Sequence, residues 1–334
     1  MRPVKSELEE MNMKNKNQKT INYLLDYGIV IVLIALFILF SLLSDRFLSS
    51  STIFTILRQV AVTGIISVGM TFVMLTGGID LSVGSVAAVA GVLAAWLMTA
   101  GGLPTVAACL LCLLVGAVCG LINGICVTIF HIPPLIATLG SMTSLRGAAY
   151  LLSNGSPIYG FDPNIKNFSQ GSIAGIPYPV ILMLVIFIIG AFILFCTRTG
   201  RYIYGVGGNE EASRLSGVKV VKTKIIVYVV SGFLAAVAGL VLLSRTNSGQ
   251  PSAADGAEMD AITAVVLGGV SMNGGKGNIW LVIVGVVIMG TLTTGMVMNN
   301  INDYAQQVIK GLVLIAAVAF DSFSQRVKAK NVVV

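Results

Sequence analysis

The sequence predicts an all-α protein that crosses a membrane many times. Hydrophobic residues make up 56% of the 334 residues and charged residues only 10%, which gives a mean hydropathy of +0.91. Soluble domains are typically about half apolar or less. Apolar runs long enough to span a bilayer recur along the whole chain, so we expect one integrated membrane domain.

Ten apolar stretches lie between two polar ends, and each is a candidate spanning helix. They cover residues 27–43, 54–76, 82–100, 104–129, 134–152, 179–197, 225–244, 259–271, 279–297 and 304–320. The stretch 259–271 is short enough to be a half-helix or a re-entrant segment, so the count is about ten. The chain therefore divides into a tail at 1–26, a membrane domain at 27–322 and a second tail at 323–334.

Basic residues indicate which side of the membrane each loop faces. Five Lys or Arg residues precede the first span, six lie in the loop 198–224, and the others on this side are Lys276 and three in the C-terminal tail. With ten spans all of these share one side, whereas the opposite loops hold only Arg46, Lys166 and Arg245. Because basic loops favour the cytoplasm, we expect both termini and the loop 198–224 to be cytoplasmic.

Residues typical of catalytic and metal sites do not form a recognisable constellation. The one histidine, His131, stands beside two prolines at a predicted turn, and no G-x-x-x-x-G-K-[ST] phosphate loop occurs. The five cysteines suggest neither a disulfide framework nor a metal site. Most of the basic residues behind the net charge of +7 lie on the predicted cytoplasmic side, so this charge does not indicate nucleic-acid binding. We expect a chain surrounded by lipid, without a cofactor of its own and without a nucleic-acid partner.

A shift of 171 residues relates two segments of the chain. With this shift, GLINGICVTIFHIPPLIATLG (120–140) overlies TLTTGMVMNNINDYAQQVIKG (291–311), and Gly124 pairs with Gly295. Such pairs also arise by chance in a chain with 37 glycines. If the repeat is real, the predicted topology gives its two copies opposite orientations, as in inverted-repeat transporters.

The stretch TGGIDLSVGS (76–85) interrupts two apolar spans with a single acid, Asp80. Non-helical backbone at membrane depth must line protein or a wet cavity. The sequence leaves two interpretations of Asp80 open. Either it caps the next helix at the cytoplasmic surface, which the order D-L-S-V fits, or it belongs to a translocation path, since intramembrane carboxylates are usually functional.

Other polar groups in apolar surroundings extend this candidate path. Polar interruptions recur at 247–262 and 267–278, and interruptions in both halves are the best sequence indicator of such a path. The basic side chains of Arg58, Arg146 and Lys310 are expected to face protein or water. The residues that we assign to the candidate path are Asp80, Ser82, Asn123 and Asn299.

The loop 198–224 contains a polar island, YGVGGNEEASRLSGV. Asn209 is placed to cap a helix, two glutamates follow it, and Arg214 lies near the end, so the charges match the helix dipole. Gly217 stands where a helix commonly terminates. These signals predict a short surface helix, and a well-capped helix projecting from a membrane domain indicates a docking surface for a partner.

Three motifs in register carry a resemblance to a known family. They are GMTFVMLTGGIDLSVGS (69–85), YGVGGNEEASRLSGV (204–218) and AVVLGGVSMNGGKGNIW (264–280). Together they closely resemble the membrane permease subunit of ribose/xylose-type ABC sugar importers, in the branched-chain/ribose-type binding-protein-dependent permease family. The resemblance covers residues 50–322 in the same order and leaves out both tails.

The resemblance implies a type II ABC importer-like permease in the bacterial inner membrane, with two copies around one path, identical or paralogous. It implies a separate cytoplasmic subunit that binds ATP and Mg²⁺, and an extracytoplasmic protein that delivers a monosaccharide or polyol. It also implies a coupling helix at about 207–217, where the docking helix is predicted. The candidate coupling residues are Gly208, Asn209, Glu210, Glu211, Ala212, Ser213, Arg214 and Leu215.

Two other functions are compatible with the residues alone. A secondary sugar transporter driven by an ion gradient would use intramembrane carboxylates, for which only Asp80 qualifies. A scaffold or receptor subunit would carry no flux. The sequence does not name the sugar, because the resemblance implies that the binding protein largely selects it.

Overall fold

The computed structural model of the chain describes residues 28–162 and 164–332, with side chains up to residue 323. The helices are α1 Gly28–Leu43, α2 Ser50–Leu75, α3 Val83–Thr99, α4 Thr105–Thr128, α5 Pro134–Ser153, α6 Asn164–Gln170, α7 Tyr178–Cys196, α8 Arg198–Gly208, α9 Glu210–Leu215, α10 Val220–Thr246, α11 Ala257–Leu267, α12 Ile279–Met298 and α13 Asp303–Val332. Two strands, β1 Ser172–Ile173 and β2 Ile176–Pro177, form an antiparallel hairpin. The predicted tail at 1–26 lies outside the described residues.

Six helices in the described part of the chain are long and apolar enough to cross a membrane. They are α2, α4, α7, α10, α12 and the first 21 residues of α13. The predicted polytopic helical class is confirmed, whereas the count of about ten spans is not. Four predicted spans are not among the six. Helices α1 and α3 are apolar but shorter, α11 has only 11 residues, and α5 is the fourth.

The helix bounds repeat with the shift of 171 residues that the glycines suggested. Adding 171 to the bounds of α2 gives 221–246, and α10 spans Val220–Thr246. The same operation on α4 gives 276–299, where α12 spans Ile279–Met298. The packing repeats as well, since α4 packs on α10 as α12 packs on α2, and α3 packs on α5 as α11 packs on α13.

Each half of the chain contains one break between two helices at the same place in the repeat. The first break, residues 76–82, separates α2 from α3, and the second break, residues 247–256, separates α10 from α11. Adding 171 to the first break gives 247–253. The polar stretches that interrupt the sequence in its two halves are therefore equivalent features of one repeated helix pair.

The second break enters the bundle as a re-entrant segment. Near its start, Gly249 packs against Gly91 and Ala95 of α3. Near its end, the carbonyl of Ala254 and the side chain of Glu258 lie against Gly84. Gly84 lies seven to eleven residues earlier on α3, so the segment descends about 10–16 Å along that helix. The half-helix interpretation of 259–271 is confirmed as α11, which begins inside the bundle.

Helices α4 and α10 approach each other closely along a ridge of small residues on α4. A Cβ at Gly116 would lie 2.6 Å from the carbonyl oxygen of Gly232, and a Cβ at Gly120 would overlap the carbonyl oxygen of Tyr228. Glycine at every fourth position lets two helix backbones touch. This contact places α10 at the centre of the bundle, where it also packs on α2 and α3.

The bundle has two ends, which we name after the short helices that they carry. The α9 end holds α8, α9, the first break and the loop 268–278, and these segments contact one another. The α6 end holds α6, the hairpin and the start of the second break, where Ile158 pairs with Gly249. Helix α6 is attached to α10 because the backbone N–H of Ser169 donates to Ser244 Oγ at 3.0 Å.

Candidate functional site

Helix α9 is the short capped helix that the polar island predicted. Asn209 Oδ1 accepts the backbone N–H of Ala212 at 2.9 Å, and Gly217 follows the helix with φ of 83°. Glu211 forms an ion pair with Arg214, and this carboxylate raises the pKa of the Arg214 guanidinium. The cap, the ion pair and the glycine that follows the helix thus all stabilise or terminate α9 itself, as the sequence predicted.

The outer face of α9 presents an apolar side chain to solvent. Leu215 is 81% exposed, and an open groove of about 570 Å³ lies beside the helix, between Arg214 and the first turns of α10. Of the two glutamates, Glu210 is bound to Lys224 of α10 at 2.6 Å, so part of the charge on α9 is satisfied inside the chain. Leu215 therefore remains as an exposed apolar side chain at the end of α9.

Helix α8 connects α9 to the bundle through a backbone contact at Gly207. A Cβ on Gly207 would overlap the carbonyl oxygen of Leu75 and lie 2.5 Å from the backbone nitrogen of Gly275. That nitrogen donates to the same Leu75 oxygen at 2.9 Å. We call this contact of Gly207, Leu75 and Gly275 the glycine junction. It joins α8 to the end of α2 and to the loop after α11.

A tyrosine reinforces the glycine junction. The hydroxyl of Tyr204, on α8, donates to the carbonyl oxygen of Gly277 at 2.9 Å. Burial raises the pKa of the Tyr204 phenol, so the hydroxyl stays protonated as the donor of this bond. Helix α8 therefore attaches α9 to the end of α2, where the first break begins, and to the loop that follows α11.

Asp80 is completely buried at the first break and accepts hydrogen bonds from Ser82 of the same break and from Ser231 of α10. Its Oδ1 accepts the backbone N–H of Ser82 at 3.1 Å and the Ser82 hydroxyl at 2.6 Å. Its Oδ2 accepts the Ser231 hydroxyl of α10 at 2.7 Å. The bond to the Ser82 N–H forms a turn ahead of α3, but it lies inside the protein rather than at a surface.

The hydrogen bonds continue from Asp80 to two further helices. Asn123 Nδ2, on α4, donates to Ser82 Oγ at 2.8 Å, and the Ser141 hydroxyl of α5 donates to Asn123 Oδ1. Every donor in the series points towards the carboxylate, as expected for a group that only accepts. We call Asp80, Ser82, Asn123, Ser141 and Ser231 the Asp80 cluster.

The structure brings together three of the four residues assigned to the path and leaves Asn299 apart. Asn299 ends α12, and its Nδ2 donates to the carbonyl oxygen of Gly295 at 2.8 Å. Sequence reasoning missed Ser141 and Ser231, because serines in apolar helices are common and only tertiary contact joins them to Asp80. Lys310, expected to face protein, binds Asp260 of α11 at 2.8 Å.

Arg146 of α5 holds the second break. Its Nη1 donates to the carbonyl oxygens of Pro251 and Ala253, both at 2.8 Å, and its Nη2 lies 3.9 Å from Asp255. These bonds satisfy backbone groups that have no helical partner inside the bundle. Arg146 therefore performs at the second break what Asp80 performs at the first.

A cavity of about 240 Å³ lies between α3, α5 and the start of α11, beside the end of the second break. Its lining residues are Ser85 of α3, Met142, Thr143 and Arg146 of α5, Asp255 of the second break, and Glu258 of α11. Among the residues that the structure describes, no group of His, Cys, Asp or Glu is arranged to hold a metal ion. One basic and two acidic side chains thus border the same cavity.

The chain matches a family model described as "Branched-chain amino acid transport system / permease component" over residues 52–318. The chain belongs to this permease family. The resemblance that the three motifs carried is thereby confirmed.

Curated relatives of the permease are similar over nearly their whole length. The ribose import permease protein RbsC of Haemophilus influenzae is 42% identical, covering 93% of this chain and 98% of the relative. RbsC of Bacillus subtilis is 42% identical with coverages of 86% and 90%. The L-arabinose transport system permease protein AraH of Escherichia coli is 39% identical, with coverages of 90% and 92%. No solved structure matches the permease.

Membership of the family makes the permease a transport component. Its relatives are permease proteins rather than catalytic subunits, in keeping with the lack of a phosphate-binding loop in the sequence. With several apolar helices of spanning length, the permease is a multi-pass membrane protein. The family does not favour the alternative of an ion-driven secondary transporter.

Proposed function

We propose that this permease carries a monosaccharide or small polyol across the bacterial inner membrane, driven by a separate ATPase. The substrate class is supported by relatives that are named for ribose and L-arabinose. An extracytoplasmic binding protein delivers the sugar to the α6 end. The cytoplasmic ATPase, which holds ATP and Mg²⁺, docks at the α9 end, and two permease copies surround one path.

The charge distribution supports this orientation. The segment from Arg198 to Lys224, which includes α8 and α9, holds six Lys or Arg residues, and Lys276 lies in the other long loop of the same end. Since basic loops favour the cytoplasm, the α9 end is cytoplasmic, and so are both termini. With that orientation the two copies of the 171-residue repeat run in opposite directions across the membrane.

The observation that carries the coupling role is the combination of an exposed apolar side chain with a rigid attachment. Leu215 faces solvent on α9, while the glycine junction joins α8 to α2 and to the loop after α11. When the ATPase binds nucleotide, it moves α9, and the junction transmits the displacement to the first break and to α11. The two permease copies then change which end of the path is open.

Replacing Leu215 by aspartate tests this docking surface. The exposed leucine contributes little to folding, so the variant is expected to insert and fold as the parent does. A central apolar contact in an interface contributes about 2 kcal/mol, so we expect at least about tenfold weaker binding of the ATPase. The measurement is affinity of the purified permease for the ATPase, together with ATP-driven sugar uptake in proteoliposomes.

A matched control places the same charge one residue further along. Ser216→Asp adds an acid at the next exposed position of the same helix end without removing an apolar contact. We expect it to bind the ATPase with nearly the parental affinity. Equal binding by the parent and by Leu215→Asp would show that the ATPase docks elsewhere.

A further inference from the structure

An open groove with apolar and basic walls lies where α9 meets the start of α10. Its volume is about 570 Å³, and no acidic residue of the described chain borders it. The basic residues that border it are Arg214, Lys219 and Lys222, and the apolar ones include Val221, Ile225 and Ile226 of α10. We call it the basic groove. The exposed Leu215 of α9 is not part of its lining, so the groove and the proposed docking surface are separate features.

The positive charge of the basic groove is only partly neutralised within the chain. All three basic residues are exposed. Arg214 pairs with Glu211, but neither Lys219 nor Lys222 forms an ion pair with a residue that the structure describes. The other glutamate of α9 is bound to a different lysine of α10. Two ammonium groups without a counter-ion therefore stand beside apolar side chains, and they fit an occupant that is both anionic and apolar.

Helix α10 is long enough to carry the basic groove at the level of the lipid headgroups. Its 27 residues extend about 40 Å, whereas the hydrocarbon core of a bilayer is about 30 Å thick. The apolar stretch predicted to span the membrane covers residues 225–244, so Lys222 and Lys219 precede it by about one and two turns. Basic residues at this level attract the headgroups of anionic phospholipids.

One face of α10 leads from the basic groove into the membrane. Although α10 packs on α2, α3 and α4, side chains at every third or fourth position of this face are exposed or partly exposed. They are Lys222, Ile226, Val229, Phe233, Val237 and Leu240. From Lys222 to Phe233 the face is about 16 Å long, which is about half the thickness of the hydrocarbon core. A lipid with its headgroup in the groove can therefore place an acyl chain along this apolar face.

We propose that the basic groove binds an anionic phospholipid of the leaflet on the α9 side. The lipid phosphate pairs with Lys219 and Lys222, and an acyl chain lies on Ile226 and on the apolar face beyond it. Arg214 borders the groove from α9, so the bound headgroup connects α9 with α10. A zwitterionic phospholipid has no net charge and gains less from these residues. The site requires only that α10 spans a bilayer, so it depends on neither the ATPase nor the sugar.

Photo-crosslinking from the groove identifies its occupant. Val221 borders the groove and is 48% exposed, so Val221→p-benzoyl-L-phenylalanine places a photoreactive group there. The purified variant is reconstituted into vesicles of phosphatidylglycerol with phosphatidylethanolamine in large excess and irradiated, and its lipid adducts are identified by mass spectrometry. We expect phosphatidylglycerol adducts about tenfold above the share of this lipid in the bilayer. Soluble glycerol 3-phosphate should not reduce them, because it has no acyl chain for the apolar face.

Removing charge connects this selectivity to the two lysines. In the same background, Lys219→Gln combined with Lys222→Gln is expected to lower the ratio of phosphatidylglycerol to phosphatidylethanolamine adducts at least about tenfold. Both lysines are exposed, so the variant should fold, and its heat resistance in detergent checks this. Arg198→Gln combined with Arg201→Gln is the matched control. It removes two exposed charges of the same end that lie outside the groove lining, and it should leave the ratio unchanged.

The outcomes separate a lipid site from the alternatives. If the two lipids form adducts in proportion to their shares of the bilayer, the groove does not select anionic lipid and the site is refuted. An equal loss of selectivity in the arginine control would assign the selectivity to overall surface charge, which also refutes the site. In the assembled importer, adducts with the ATPase or with a second permease copy in place of lipid would show that the groove is a protein interface. Sugar uptake driven by ATP is measured separately, and its absence would refute the proposed function without affecting the lipid site.

Discussion

Replacing Asp80 by alanine is expected to lower the free energy of unfolding of the permease by about 3–4 kcal/mol. The carboxylate is 0% exposed and accepts three hydrogen bonds, two from Ser82 and one from Ser231. Alanine leaves these buried donors without an acceptor, and each unsatisfied group costs about 1–3 kcal/mol. The substitution also opens a space between α3 and α10. The measurement is the loss of monodisperse purified protein on heating in detergent.

The isosteric variant Asp80→Asn is the matched control. It keeps the volume and one carbonyl acceptor, and the serine hydroxyls can rotate to accept from the new amide. We therefore expect its heat resistance to lie between those of the parent and Asp80→Ala. Removing only one donor, as in Ser231→Ala, should also cost less than Asp80→Ala. A heating curve of Asp80→Ala that superimposes on that of the parent would show that the Asp80 cluster does not stabilise the fold.

The features that local sequence determines were predicted well. Helix α9 could be predicted because its signals all lie within nine residues: a capping Asn209, two acids, Arg214 and the terminating Gly217. The interruption at 76–82 was visible because glycines and one acid stand between long apolar runs. Local chemistry of this kind depends on neighbours along the chain, so one sequence is sufficient to identify it.

The parts of the site that depend on distant residues could not be read from the sequence. Ser231 lies 151 residues from Asp80, and Arg146 lies more than 100 residues from the carbonyl oxygens that it binds. Glu258 stood in the sequence as one acid of an outer loop, although the descent of the second break places it inside the bundle. The helix α6 and the hairpin were also missed, because elements this short carry no periodic pattern.

The repeat gives the two breaks equivalent positions in the two halves of the chain. A shift of 171 residues carries the first break onto the second, but their stabilising residues differ: a carboxylate accepts N–H and O–H groups at the first, and a guanidinium donates to carbonyls at the second. Each break must satisfy the backbone groups that it removes from a helix. The two halves therefore share an architecture, while different residues stabilise their breaks.

Replacing Gly207 by alanine is expected to uncouple ATP hydrolysis from transport. The added methyl group overlaps the carbonyl oxygen of Leu75 and approaches the nitrogen of Gly275, and both are backbone atoms that cannot rotate away. Overpacking of this kind costs about 1–3 kcal/mol, so α8 must shift away from the end of α2. We expect sugar uptake per ATP hydrolysed to fall about tenfold, in the range of typical coupling energies, while Leu215 still binds the ATPase.

The neighbouring glycine separates steric overlap from helix propensity. Gly208 also lies in the last turn of α8, but a Cβ there would meet nothing within 4 Å. Gly208→Ala gains the same helix propensity as Gly207→Ala and is expected to keep the parental heat resistance. Uptake per ATP is measured in proteoliposomes for both variants. If Gly207→Ala transports as much sugar per ATP as the parent, the glycine junction does not transmit the motion of α9, and the force from the ATPase must reach the bundle through the contacts of α9 with α10.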